Sequence, residues 1–227
     1  MTGWSTLPDA YAAAADTFDT LRKAREIADS LVALPIPGVG LVEPQPLTAG
    51  DLCAVHAPNY VEAVRTGESR QLARTNGLRW DRGLWAAVCA SNGGAVAAAR
   101  YALENRRNAG SLSSGLHHAR RDHGAGFCTF NGLIVAAMAL KRDGSVSRVG
   151  ILDLDQHWGD GTHDIIGRLQ LSWISHHSPG PEAPRAADAE RYLRRLPGIV
   201  STFHDCDLLL YQAGADAHVD DPLGGWM

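Results

Sequence analysis

The stretch ILDLDQHWGDG, residues 151–161, decides how the second half of this chain is read. It begins as a buried strand would, yet it places Asp153, Asp155 and His157 at every second position. Taking a carboxylate out of water without a partner is very costly, so something at this place must compensate the charges. If residues 151–157 stay extended, side chains at i, i+2 and i+4 point the same way. The two aspartates and the histidine then form a row from the buried sheet to its rim. Two oxygens and an imidazole nitrogen suit a divalent cation, and three protein ligands with an open position mark a catalytic rather than a structural site. Asp216, at the end of the apolar run DLLLYQAGAD (207–216), can supply the third ligand while Asp153 lies deeper, behind the others.

Outward from that stretch, VGILDLD (149–155), LSWIS (171–175) and DLLLYQAGAD read as strands. GTHDIIGRL, AADAERYLRRL and GIVSTFHD read as helical stretches between and after them. Apolar strands alternating with helices predict an α/β protein with a parallel sheet covered on both faces. Ligand sites in such sheets gather beyond the carboxyl ends of the strands, where Asp155, His157 and Asp216 fall. The first half predicts helices: residues 9 to about 34, stopped by Pro35 and Pro37; APNYVEAVRTG, begun by Pro58 and closed near Gly67; and a long one within residues 80–107. The small-residue centre of that last helix, Ala90 to Ala99, predicts close approach of another element. No repeat, low-complexity tract or linker interrupts the chain, so residues 1–227 are expected to form one domain.

The bulk numbers exclude some classes. A net charge of -4 gives no general attraction to nucleic acid or anionic membranes. No basic segment followed by an apolar stretch opens the chain, and no apolar run approaches the roughly 20 residues that span a bilayer. The four cysteines (Cys53, Cys89, Cys128, Cys206) form no CxxC pair, which argues against a disulfide framework and for a cytoplasmic setting. Histidine is the unusual count: nine of the ten lie between His117 and His218.

Two of those nine are adjacent. SSGLHHARRDHGAGFCTFNG (113–132) sets His117 and His118 before a glycine-rich turn, an aromatic and an apolar helix. Histidine is the side chain best placed to move protons near neutral pH, and a pair of them needs carboxylates to fix tautomer and orientation. Asp153 and Asp160 are available for that. His123, His163, His204 and His218 are read as surface or capping residues, Arg106–Arg107 and Arg120–Arg121 as solvated faces, and Tyr211 as a core residue.

These three motifs, SSGLHHARRDHGAGFCTFNG, LDLDQHWGDGTHDI and AGADAHVDDPLGG, together resemble the histone deacetylase family, within the three-layer αβα arginase–deacetylase fold. The group includes bacterial deacetylase-like amidohydrolases, acetylpolyamine amidohydrolases and acetoin-utilisation proteins. The match is strong over residues 110–227 and weaker over VHAPNYVEAV and residues 85–104. The resemblance implies that Asp155, His157 and Asp216 hold Zn2+, with Fe2+ as an alternative occupant. It implies that His117 and His118 are paired general base and acid, hydrogen-bonded to Asp153 and Asp160 respectively. Gly126 and Phe127 would line the acyl channel. An inner K+ site would use oxygens, mainly of the backbone, from Asp153, Asp155, His157, Ser175 and His176. The implied reaction is metal-assisted hydrolysis of an N-acyl amide, either acetyl-lysine or a small acetylated amine.

Three departures from the family pattern bear on that expectation. The family's opening strand with a histidine-proline-glutamate segment is replaced by MTGWSTLPDAYAAAADTF. PEAPRAADAERYL carries no phenylalanine for the opposite channel wall. No residue matches the tyrosine that would hold the oxyanion, a loss worth about 10²–10³-fold in turnover. The fold is therefore expected to be incomplete at both ends. The alternative to an enzyme is a weak or inactive metal-binding domain that recognises acylated ligands.

Overall fold

The computed structural model describes residues 20–113, 116–179, 188–221 and 225. The expected helix from residue 9, the segment opening the chain, most of PEAPRAADAERYL and most of the terminal DDPLGGWM lie wholly or partly outside these residues.

Three strands form a parallel sheet in the order β2-β1-β3: β1 Val149–Asp153, β2 Ile174–His177 and β3 Leu208–Gln212. Among the described residues six helices precede the sheet: α1 Thr20–Ala33, α2 Ala49–Cys53, α3 Pro58–Thr66, α4 Arg70–Ala73, α5 Gly83–Asn105 and α6 Gly132–Arg142. Two more make the crossovers, α7 Asp160–Arg168 between β1 and β2 and α8 Ala189–Ser201 between β2 and β3. The chain steps from β1 to one side and then back past it to the other, so right-handed crossovers put α7 and α8 on opposite faces. The burial agrees. Ile165 of α7 joins the main core with Val149, Ile151, Ile134 and Leu84, whereas Tyr192 of α8 packs in a separate cluster with Ala217.

Local chemistry sets the helix ends. Pro58 starts α3 at its first turn, and Gly67 closes it in the left-handed region at φ 75. Thr48 and Asp51 form a capping box on α2. Asn131 caps α6 by accepting the Ile134 N–H at 3.2 Å. In α5, a side chain at Gly93 would stand 2.1 Å from the Gln45 carbonyl oxygen, so the small centre of this helix is where residues 44–46 cross it. Among the described residues no helix is long and apolar enough to cross a membrane.

Three expectations are corrected. The strand at 149–155 stops at Asp153 because its carboxylate Oδ1 accepts the Asp155 N–H at 3.2 Å, and Asp155 Oδ1 accepts the His157 N–H at 2.8 Å. These are the local turns that aspartate favours, and they curl the chain out of the extended row. The strand at 171–175 begins later, at Ile174, because Gln170 (φ 54) ends α7 and a further turn closes from Ile174 N–H to Leu171 O at 3.0 Å. Tyr211 is 58% exposed rather than in the core. Its partner in the register is Leu152, so it points to the sheet face opposite Asp153, on an outer strand with no described neighbour beyond it.

Candidate metal centre and histidine pair

The turn after β1 and the turn after β3 bring Asp155, His157 and Asp216 together at the carboxyl end of the sheet. One ligand atom from each lies within 4.8 Å of the others. His157 Nδ1 is 3.0 Å from Asp155 Oδ1 and 2.9 Å from Asp216 Oδ2. The backbone makes the approach feasible: a side chain at Gly214 would collide with Asp155, reaching its Cα at 2.4 Å. Asp216 Oδ1 also accepts the Gln156 N–H at 3.3 Å, tying the two turns to each other. Burial raises the Asp216 pKa above the usual carboxylate value, and the charge of Asp155 raises it further. Two carboxylates and one imidazole nitrogen facing a common point carry one more negative charge than the histidine proton can neutralise. That donor set fits a divalent cation.

The histidine pair abuts this cluster. His117 is buried, and its Nδ1 bonds Asp153 Oδ2 at 2.8 Å. Its Nε2 faces Asp155 Oδ1 at 3.8 Å. His118 Nδ1 bonds Asp160 Oδ1 at 2.7 Å, and the two imidazole centroids are 4.0 Å apart. The His118 ring stands 5.8 Å from that of His157. In each member of the pair, Nδ1 is held by a carboxylate and Nε2 is left for other chemistry.

Environment separates the two imidazoles. Burial works against the charged form of His117, but the hydrogen bond and charge of Asp153, with Asp155 and Asp216 nearby, hold its pKa above the ordinary value. Burial lowers the pKa of His118, as does the adjacent His117, and Asp160 offsets only part of this. Burial would raise Asp160, yet its bonds to His118 and Arg120 leave it below the usual carboxylate range.

The expected channel residues follow the pair in space. Gly126 (φ 50) and Phe127 (φ 63) both take left-handed backbone, and a side chain at Gly126 would meet His118 Cδ2 at 2.4 Å. Phe127 is 38% exposed, with its ring near Gly77 and its N–H donating to the Asn76 carbonyl at 2.8 Å. The remaining residues expected near an inner cation divide. The Ser175 hydroxyl accepts from Arg148 Nη2 at 3.4 Å, whereas His176 Nε2 borders the space beside Gly159.

Several residues inside the quoted stretches support the site, although the sequence reading gave them no part in it. His56 is fully buried, its Nδ1 bonding the Arg120 carbonyl at 2.9 Å and its Nε2 accepting the Asn131 N–H at 3.0 Å. Asn131 reaches the carbonyls of His117 and Ala119 and the Thr162 hydroxyl. Arg120 and Arg121 are not solvated faces. Arg120 Nη2 binds Asp160 Oδ2 at 2.5 Å, and Arg121 bonds Val55 O and Asp164, because the loop carrying the histidines is folded over α7. His123 is part-exposed, and His163, His204 and His218 lie at the surface.

The chain is similar to known proteins over most of its length. A profile described as the histone deacetylase domain matches residues 14–184. An uncharacterised protein of Picosynechococcus sp. is 32% identical over 188 residues, which is 75% of this chain and 62% of that protein. A protein named "Probable deacetylase" from Methanothermobacter thermautotrophicus is 31% identical over 218 residues, 80% and 64% of the two chains. The crystal structure of the HDA15 HD domain superposes with a TM-score of 0.71 at 25% identity, covering 89% of this chain and 69% of that one. The chain spans about three-fifths of the length of these curated relatives. Three-quarters of its residues fall within the matched profile, the parallel sheet agrees with a solved member, and the chain belongs to the histone deacetylase family.

Proposed function

We propose that this chain is a metal-dependent amidohydrolase that removes an acetyl or other acyl group from a lysine side chain or a small amine. One observation carries the reading: a three-residue cluster of metal-ligand type lies against two imidazoles whose Nδ1 atoms are each fixed by a carboxylate.

Asp155, His157 and Asp216 would hold Zn2+, with Fe2+ as the other occupant their hard donors accept. A bound cation supplies polarisation of the acyl oxygen and lowers the pKa of a water from about 15.7 toward roughly 7. The protein's own groups do the rest. Asp153 and Asp160 hold the Nε2 atoms of His117 and His118 free, so one imidazole takes a proton from the attacking water. An imidazole then returns a proton to the leaving nitrogen, which departs as an amine. Phe127, partly exposed beside the pair, would flank the acyl chain, and the Gly126 carbonyl would face the substrate amide. Main-chain oxygens around Asp153, Asp155, His157, Ser175 and His176 would hold a K+ ion beneath the site.

Protein reconstituted with Zn2+ and offered an acetyl-lysine fluorogenic peptide is expected to turn it over. His118→Ala and Asp155→Asn should each remove that activity. Undiminished turnover in either variant rejects these roles.

A second reading is an acyl-ligand binding domain without turnover. Among the described residues the Tyr60 hydroxyl bonds the Thr129 carbonyl and the Tyr192 hydroxyl bonds His177, while Tyr211 faces away from Asp153. Tight hydroxamate binding by the metal-loaded protein without hydrolysis distinguishes it from the first.

A further inference from the structure

Phe127, proposed to flank the acyl chain, rests on a turn rich in arginine. Residues 65–82 carry five arginines against Glu68 and Asp81, in a chain whose net charge is -4. Two of the five are engaged: Arg65 pairs with Glu62 at 2.7 Å, and Arg70 lies over the Trp80 ring at 4.5 Å. Asp81 is engaged as well, its Oδ1 accepting the Gly83 and Leu84 N–H groups where α5 begins. Arg74, Arg79 and Arg82 are exposed, and none has an ion pair or a side-chain hydrogen bond among the described residues. Like charges gathered on one short segment raise a local positive potential, which favours an anionic partner.

The fold ties this segment to Phe127. The Gly77 N–H closes a turn on the Arg74 carbonyl at 2.9 Å, and the Asn76 carbonyl accepts the Phe127 N–H at 2.8 Å. Asn76 is buried, its Nδ2 donating to Thr129 Oγ1 at 2.7 Å and its Oδ1 accepting the Leu78 N–H at 2.9 Å. A side chain at Gly77 would lie 3.6 Å from Phe127 Cε1, so this glycine faces the ring. Gly77 and Arg79 are exposed on either side of buried Leu78, and Arg74 opens the same turn. Trp80 Nε1 donates to the Val64 carbonyl at 2.8 Å and pins the segment beyond Arg79. Two unpaired guanidinium groups are thus carried on an anchored turn beside the exposed aromatic ring.

We propose that Arg74 and Arg79 form an anion-binding rim beside Phe127, and that the preferred ligand carries carboxylates next to its acylated amine. The inference rests on the hydrolytic reading above for the direction of the ligand, with the acyl chain along Phe127 and the rest of the amine outside it. Guanidinium groups suit that partner because their N–H donors match a carboxylate in pairs. Being exposed, the contacts act mainly on encounter and are screened by salt.

The test titrates Zn2+-loaded protein against a fluorescently labelled acetyl-lysine peptide flanked by glutamates, and against the same peptide flanked by lysines, with anisotropy as the readout. At low ionic strength the acidic peptide should bind about tenfold more tightly, because each exposed charge contact gives up to about fivefold. The gap should shrink as salt is raised toward about 0.5 M. The double variant Arg74→Gln, Arg79→Gln should remove most of it, and Arg74→Glu with Arg79→Glu should reverse it. Arg107→Gln, past the far end of α5, should leave it intact. Equal binding of the two peptides, binding of neither, or a gap that survives in the double Gln variant overturns the proposal. Tighter binding of duplex DNA than of the acidic peptide, lost in that variant, would make the surface a nucleic-acid site and overturns it too. An acidic preference without hydrolysis of either peptide sinks the hydrolytic reading and leaves the rim standing.

Discussion

His157 Nδ1 and Asp216 Oδ2 stand 2.9 Å apart although 59 positions separate them in the chain, and this contact joins the turns that follow β1 and β3. Among the described residues no other pairing of the two turns puts an imidazole between two carboxylates, one of them Asp155 at 3.0 Å. The arrangement makes the two strand ends a single centre, and each strand contributes something the other cannot replace.

In the proposed metal centre, removing the contribution from β3 should weaken cation binding. Asp216→Ala is expected to weaken Zn2+ binding by more than the roughly 10–100-fold typical of losing an outer-shell partner. Competition with a chelating dye measures it. Binding equal to the parent would remove Asp216 from the ligand set.

In the proposed reaction Arg120 would act through Asp160. Its guanidinium holds one carboxylate oxygen while His118 holds the other. Arg120→Leu should leave Asp160 free to swing and lower kcat about tenfold with little change in KM. Steady-state kinetics of the variant are the check, and a change confined to KM contradicts the assignment.

Stability should fall in mild acid because of His56. Burial holds its pKa down to about 4 from the ordinary 6.5, so the folded state keeps the ring neutral while the unfolded chain protonates it. The unfolded state binds more protons between these values, and the stabilisation, complete above pH 6.5, is lost as pH drops toward 4. Its full size is about 3 kcal/mol. Urea unfolding at pH 7.5 and pH 5 should show the decline, and His56→Gln should flatten it.

Gly161 should tolerate no side chain. A Cβ there would lie 2.4 Å from the His118 carbonyl carbon and 2.5 Å from two carbonyl oxygens, all of them backbone. Gly161→Ala is expected to cost about 1–3 kcal/mol and to displace the histidine loop. Thermal melting and turnover should fall together; loss of neither would place the loop elsewhere.

How much of this was legible in the sequence depends on how local each signal is. HH, DxDxH and GAD are short runs whose chemistry is unusual for a strand end, so residues later found together could be named beforehand. The parallel sheet was legible from three apolar runs separated by helical stretches. The extended row was not correct, because Asp153 and Asp155 take local N–H bonds that a period-two pattern ignores. His56 and Asn131 were given no role and Arg120 was misread as a solvated face because their partners lie 12 to 75 residues away, and nothing beside them in sequence states that choice. Tyr211 was misplaced because an apolar run does not reveal which face of an outer strand is covered.

The most direct measurement is a crystal structure of Zn2+-reconstituted protein with anomalous data collected across the zinc edge. The account predicts one strong peak about 2.0–2.2 Å from an oxygen of Asp155, Nδ1 of His157 and an oxygen of Asp216. A peak at other residues, or none at full occupancy of added metal, would contradict it.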